Sequence, residues 1–400
     1  MKRTGWAVGR SGAAKALLGA VVIALASPGA GSAAEAKRAS FGRTPDGTEV
    51  EAITLSNAHG VSATVLTYGA TLQSLVAPGR NGAKADVVLG FRDAAEYVRN
   101  DTYMGGTIGR YANRIGQGRF ALDGKTYQLA LNNNGVAALH GGTKGFDKRM
   151  WTVTDVKHGP VASVTMTLTS PDGEEGYPGT LKATAVYSLD EANRLTIRYS
   201  AVTDRPTIVN LTNHALFNMA GEGSSDGAMG NVLQVMADGY TPVDDKLIPT
   251  GETTPLAGTA FDFRTPHMIA ERLRDAADPQ IVTGRGYDHN YVLRAAPGGK
   301  SRVIARLSDP KTGRAMEIIS DQPGLQYYSG NFLNGVLVGK SGRLYRQGDG
   351  IALEPQRFPD APNRPRFGVT RLNPGETYSN TMVFRMTVDP APKGAPAKKG

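Results

Sequence analysis

The chain has no cysteine in its 400 residues. Oxidising surroundings therefore add no disulfide to it and take no thiol from it. The lipid-bearing cysteine of a bacterial lipoprotein is missing for the same reason. Histidine is scarce: His59, His140, His158, His214, His267 and His289 are all there are. No two of them form an H-x-x-x-H pair, so no metal site is expected from spacing. No G-x-S-x-G elbow marks a serine hydrolase. No glycine-rich phosphate loop follows a strand, and no βαβ rhythm is present. Long apolar runs are lacking too. The one candidate, residues 16–26, is too short for a comfortable membrane span.

Excess charge is also absent once it is located. The formal net charge is +9, but residues 1–34 hold Lys2, Arg3, Arg10 and Lys15 with no acid, and the tail 391–400 holds Lys393, Lys398 and Lys399. The folded part keeps only +2. That excludes a nucleic-acid partner. The basic start, the apolar run and the small residues after it predict a secretory signal peptide over 1–34. The alternative is an uncleaved anchor. The Pro/Ala/Lys-rich tail 391–400 is expected to be disordered. No composition break divides the rest, so 35–390 is expected to be one domain.

What is there is mostly β-patterned. Residues 163–169 alternate Val164, Met166 and Leu168 with hydroxyl side chains. In residues 194–201, Leu195, Ile197 and Tyr199 share one face, while Arg194, Thr196 and Arg198 share the other. Residues 181–189 and 381–388 repeat the pattern. Glycine–proline clusters punctuate these runs, and only 93–98 and 268–277 read as helical. The fold class is all-β, a sandwich or barrel.

Within this pattern, residues 208–218 (IVNLTNHALFN) put Asn210, Thr212 and His214 on one strand face, polar where a core strand should be apolar. His214 is either a hydrogen-bonded structural histidine or a proton donor and acceptor near neutral pH. Residues 105–119 place Asn113 and Arg114 in a glycine-rich loop. An amide and a guanidinium together can fork hydrogen bonds to adjacent hydroxyls. The alternative is a glycine-rich loop with a surface arginine. His140 stands before two glycines, as a ligand donor or a turn residue. Residues 287–291 (YDHNY) set Asp288 between aromatics, which suits a sugar's apolar faces and polar edges; the other reading is a plain turn. Gln326 follows a turn and precedes paired tyrosines. Glu354 ends an apolar run, where burial would raise its pKa toward that of a base, unless it is a salt-bridged edge residue.

Taken together, these stretches resemble the aldose 1-epimerase (galactose mutarotase) family. The resemblance rests on GRYANRIGQGRFALDGKTYQLALNNNGVAALHGGTKGFDKRMW, NLTNHALFN, YTPVDDKLIPTGE, FDFRTP, YDHNYVL, QPGLQYYSGNFL and LEPQRFPDAPN, in that order over roughly residues 40–388. It implies a large antiparallel β-sandwich of the galactose mutarotase type. It also implies interconversion of the α and β anomers of free aldohexoses such as glucose and galactose. In that reading His214 is the general acid, Glu354 the general base, and His140 a second histidine on the sugar. Asn113, Arg114, Asp288 and Gln326 bind hydroxyls. No metal or cofactor is implied; the partner is the free aldose, and the protein is a monomer or homodimer with no stable membrane insertion after signal cleavage. Leu216 departs from the family, which usually has an aromatic there. Three rivals are a sugar-phosphate epimerase using Arg110 or Arg119, a non-catalytic sugar-binding module, and a glycoside hydrolase using Asp288 with Glu354.

Sequencing the N-terminus of exported protein should find a start near Ala34 or Glu35; a chain still starting at Met1 would contradict the leader.

Overall fold

The computed structural model describes residues 34–100, 102–295 and 297–391. The leader and the tail, apart from Ala34 and Ala391, lie outside these residues. Three antiparallel sheets dominate. A five-stranded sheet runs in sequence order through Glu35–Arg43, Glu49–Ser56, Ser62–Leu66, Thr71–Pro78 and Lys84–Asp86. A nine-stranded sheet has the middle order Val161–Ser170, Leu181–Asp190, Arg194–Thr203, Tyr378–Val388, Arg314–Ser320 and Arg302–Ser308. A six-stranded sheet has the order Leu216–Phe217, Ile351–Gln356, Gly324–Tyr328, Asp288–Leu293, Ala237–Tyr240 and Thr254–Pro255.

Alternation makes the core. Val164, Met166, Leu195, Ile197, Tyr199, Met382 and Phe384 are buried, as the period-2 pattern predicts. They join Ile53, Val65 and Leu72 from the five-stranded sheet and Leu325, Tyr327 and Leu353 from the six-stranded sheet in one hydrophobic cluster. Since residues 325, 327 and 353 point into that cluster, residues 326, 328, 352 and 354 must point the other way. Yet every residue of Ile351–Gln356 is buried. The six-stranded sheet is thus covered on both faces, and its second face carries the polar side chains.

Residues 208–218 are not one strand. Thr207–Ile208 pairs with Arg371–Leu372, Thr212–Asn213 with Thr107–Ile108, and Leu216–Phe217 with Ile351–Gln356. The polar side chains hold the segment where its ladders break. Asn210 exchanges hydrogen bonds with the Arg357 main chain at 2.9 and 3.1 Å. Thr212 donates to the Pro355 carbonyl at 2.9 Å, and Asn213 to the Gly105 carbonyl at 2.7 Å. Buried polar atoms need such partners.

The helical expectation is half right. Asp93 caps the helix Ala94–Arg99 by accepting the Glu96 N–H at 2.8 Å. The 268–277 stretch yields only the 3₁₀ turn Ile269–Glu271, and the α-helix comes later, at Pro279–Gly284. Asp278 as cap and Pro279 at the first turn start it there, a signal the periodicity missed.

One arginine fixes the glycine-rich loop to the body. Arg110 is buried and donates to the Ser170 hydroxyl and to the carbonyls of Ser170, Pro171, Pro178 and Gly179. It is a structural bolt, with no donor left for a substrate phosphate. Arg110→Lys would strand several of these carbonyls, each at a cost of about 1–3 kcal/mol. Urea unfolding should show a loss of roughly 3 kcal/mol or more; a loss below about 1 kcal/mol would mean water replaces the guanidinium freely.

Candidate functional site

The polar face of the six-stranded sheet is the floor of a cavity of about 220 Å³. Strand register sets out its side chains. Gln326 lies opposite Glu354, and Tyr328 opposite Ala352. Asp288 lies opposite Tyr328, and Leu216 opposite Ala352. Continuing the last register by two residues brings His214 opposite Glu354. Their Nε2 and Oε1 atoms are 3.8 Å apart.

Three loops form the opposite wall, carrying Tyr103, Asn113 with Arg114, and His140. All three of Tyr103, Asn113 and His140 have left-handed backbone, with φ of 59°, 65° and 52°. Two glycines allow the loops to approach. A Cβ on Gly105 would strike the Leu72 carbonyl, and one on Gly141 the Gly109 carbonyl. Gly105 also donates its N–H to the His214 carbonyl at 2.9 Å. The loop is thereby tied to the strand it faces.

Asn113 and His140 hold each other. The His140 N–H donates to the Asn113 carbonyl at 3.0 Å, and the Asn113 N–H donates to His140 Nδ1 at 3.2 Å. An Nδ1 that accepts cannot carry a proton, so neutral His140 has its hydrogen on Nε2. Its ring packs on Tyr103 at 4.6 Å and edge-on to His214 at 5.2 Å. Arg114 is oriented by Asn113 Oδ1 on its N–H and Asn133 Oδ1 on its Nε, at 2.9 and 3.1 Å. It reaches Asp288 Oδ2 at 3.5 Å, while Gln326 donates to Asp288 Oδ1 at 2.7 Å.

Burial dominates the electrostatics. Glu354 is 1% and His214 7% exposed. Burial pushes the Glu354 carboxyl well above its usual range, with Asp288 adding to the rise and Arg114 opposing it. Burial pulls His214 down to about 4, against the pull of its backbone hydrogen bond and Asp288. His140 is held well below 6.5, first by burial and then by His214, Arg114 and Lys148. Glu354 Oε2, His214 Nδ1 and Gln326 Oε1 are buried without a protein partner. An imidazole and a carboxyl 3.8 Å apart, buried beside oriented donors and acceptors, have the geometry to exchange protons with one molecule bound between them.

All seven residues singled out from sequence line the cavity: Asn113, Arg114, His140, His214, Asp288, Gln326 and Glu354. The aromatic sandwich around Asp288 is not there. Tyr287 and Tyr291 point into the core, their hydroxyls donating to the Ala260 and Phe261 carbonyls. His289 also faces away, accepting the Asp288 N–H and reaching Gln280 through Nε2. The aromatics at the cavity are Tyr103, Tyr328 and Phe332. Alternation from Gln326 identifies Tyr328, whereas Tyr103 has no local signature. Arg119 is exposed, bonds Gln128, and is not among the cavity's lining residues.

A family model described as Aldose 1-epimerase matches residues 51–385. The chain is 42% identical over 356 residues to the galactose mutarotase of Homo sapiens, across 89% of this chain and 99% of that one. It is 38% identical over 347 residues to the aldose 1-epimerase of Escherichia coli K12, across 86% and 97%. A solved galactose 1-epimerase from Lactobacillus acidophilus superposes with a TM-score of 0.78 at 31% identity, covering 89% of this chain and 99% of that one. An aldose epimerase homologue from C. elegans gives 0.76 at 32% identity, covering 84% and 98%.

The His140 geometry has a direct readout. Nitrogen-15 spectra should show its ring neutral, with Nδ1 unprotonated, through the pH range around 6.5 in which a free imidazole takes up its proton. Titration near 6.5 would mean the ring is not kept from water, and a proton on Nδ1 would mean the Asn113 N–H does not hold it.

Proposed function

The chain belongs to the aldose 1-epimerase family and interconverts the anomers of aldoses, and from that premise we propose that His214 and Glu354 are its acid and base. The observation that carries the assignment is their contact, 3.8 Å apart on the buried floor. Glu354 takes the proton from the anomeric hydroxyl while His214 gives one to the ring oxygen. The C1–ring oxygen bond breaks and an aldehyde forms. Rotation about C1–C2 presents the other carbonyl face, and the reverse transfers close the other anomer. Each residue is both acid and base within one cycle.

The proton arrangement explains the choice of a dry site. With the ring closed, the pair is an ionised histidine and carboxylate. With it open, both are neutral. Burial favours the neutral pair and so favours the open-chain state. Arg114 favours the ionised Glu354 and Asp288 the ionised His214, although Asp288 also raises the Glu354 carboxyl. In this reading Asn113, Arg114, His140, Asp288 and Gln326 hold the hydroxyls, and the substrates include free glucose and galactose. The bonds of Arg110 and Arg119 speak against phosphorylated sugars. A non-catalytic module has no use for so costly a buried pair.

Residues 1–34 act as an export leader in this proposal, and the enzyme works as a monomer or homodimer in the periplasm or outside the cell. The n-region and the apolar run support that placement. Among the described residues no helix is long and apolar enough to cross a membrane.

The active form holds one proton on the pair, so kcat/KM should be bell-shaped in pH, with values that belong to the pair. Because His214 is pulled down to about 4, the acid limb should lie well below pH 6.5. Glu354→Gln and His214→Gln should each lower kcat by roughly 10²–10⁴-fold while sugar still binds. Near-normal mutarotation by Glu354→Gln, measured by polarimetry, would remove Glu354 and point to Asp288.

A further inference from the structure

The cavity floor has a polar row and a second row that is apolar at its Leu216 end. His214, Glu354 and Gln326 lie side by side on neighbouring strands, and Leu216, Ala352 and Tyr328 occupy the next positions on the same face. Beyond that second row the cavity is closed by Met104, Leu333 and Leu337. Leu216, Met104, Leu333 and Ala352 belong to one buried apolar cluster that continues into Leu89 and Phe91. Phe332 extends this side by stacking on Tyr328 at 6.1 Å. The polar groups near it are the hydroxyls of Thr102 and Tyr328, and the Tyr328 oxygen already accepts the Phe332 N–H at 2.8 Å. The second row runs on from Tyr328 to Asp288, so Asp288, with Arg114 and Gln326 bound to it, marks the polar end of the floor, opposite the Leu216 edge.

The chemistry orients a sugar against this floor. The ring oxygen is bonded to C1 and C5. C1 is drawn along the row toward Glu354, because Glu354 takes the proton from its hydroxyl. C5 leaves the ring oxygen on the opposite side. Gln326, Asp288 and Arg114 continue on the Glu354 side, where C2 to C4 follow C1, so C5 falls at the sheet edge formed by the segment of His214, on which Leu216 is the next side chain of the same face.

We propose that the apolar corner of Leu216, Met104, Leu333 and Leu337 receives the substituent on C5. The enzyme then prefers aldopyranoses with hydrogen or methyl at that position, namely aldopentoses and 6-deoxyaldohexoses, over those with a hydroxymethyl group. The inference rests on His214 serving the ring oxygen, as assigned above. A hydroxymethyl oxygen entering this corner leaves water and meets mainly methyl and methylene groups, with the Thr102 and Tyr328 hydroxyls at its margin. An apolar site rejects an added hydroxyl by at most about 10²-fold, so the outcome is a ranking and not an exclusion.

Polarimetry on freshly dissolved sugars tests this. D-galactose and 6-deoxy-D-galactose differ only in the oxygen on C6. The wild-type kcat/KM should be roughly tenfold or more higher for the deoxy sugar, and D-xylose should exceed D-glucose in the same sense. Leu216→Ser, which offers a hydroxyl, should pull the first ratio toward one. The wild-type ratio decides the matter even where that variant folds poorly. Equal values for galactose and its deoxy form, or a preference for galactose, would overturn the inference and leave anomer interconversion standing. No turnover of any of the four sugars above the spontaneous rate would overturn both.

Discussion

A carboxyl and an imidazole are kept out of water side by side, and the rest of the site answers to that. Removing an ionised group from water costs several kcal/mol even after the protein relaxes. Glu354 and His214 meet this cost jointly, since one proton moved between them turns two charges into none. The arrangement needs a sheet covered on both faces, with the core beneath and loops above. It also needs fixed countercharges, which Arg114 and Asp288 supply without closing on the pair. The polar groups around the cavity are already held in place by Asn113, Asn133 and Gln326.

Two arginines four positions apart show how finely one loop divides its duties. Arg110 turns inward and spends its donors on main-chain carbonyls. Arg114 turns into the cavity, with Asp288 as its ion-pair partner. Identical side chains in one glycine-rich run therefore serve the scaffold and the cavity wall separately. Nothing in the loop's composition distinguishes them; the difference is which surface each faces.

That limit runs through what was legible in the sequence. Long strands were readable, because period-2 alternation is local and their apolar faces meet one core. The seven cavity residues were readable because motifs in a fixed order carry a family's site. The pieces of 208–218 were not, since each two-residue strand is defined by a partner more than 100 positions away. The tyrosines of 287–291 were misjudged because alternation places neighbours of Asp288 on the opposite face. Tyr103, Met104 and Leu333 escaped notice, for cavity walls are set by how loops land. The helix at Pro279–Gly284 was missed for a weaker reason: its cap and proline were visible, but a six-residue helix has little periodicity to detect.

The left-handed backbone at Tyr103, Asn113 and His140 bears on any attempt to stabilise this enzyme. A non-glycine residue in that conformation costs on the order of 1 kcal/mol. Glycine would relieve it, so screens that reward thermal tolerance alone would be drawn to these positions. All three side chains line the cavity wall. Selection for heat resistance and selection for turnover would therefore pull the same three residues in opposite directions, and only a screen that scores both would leave them alone.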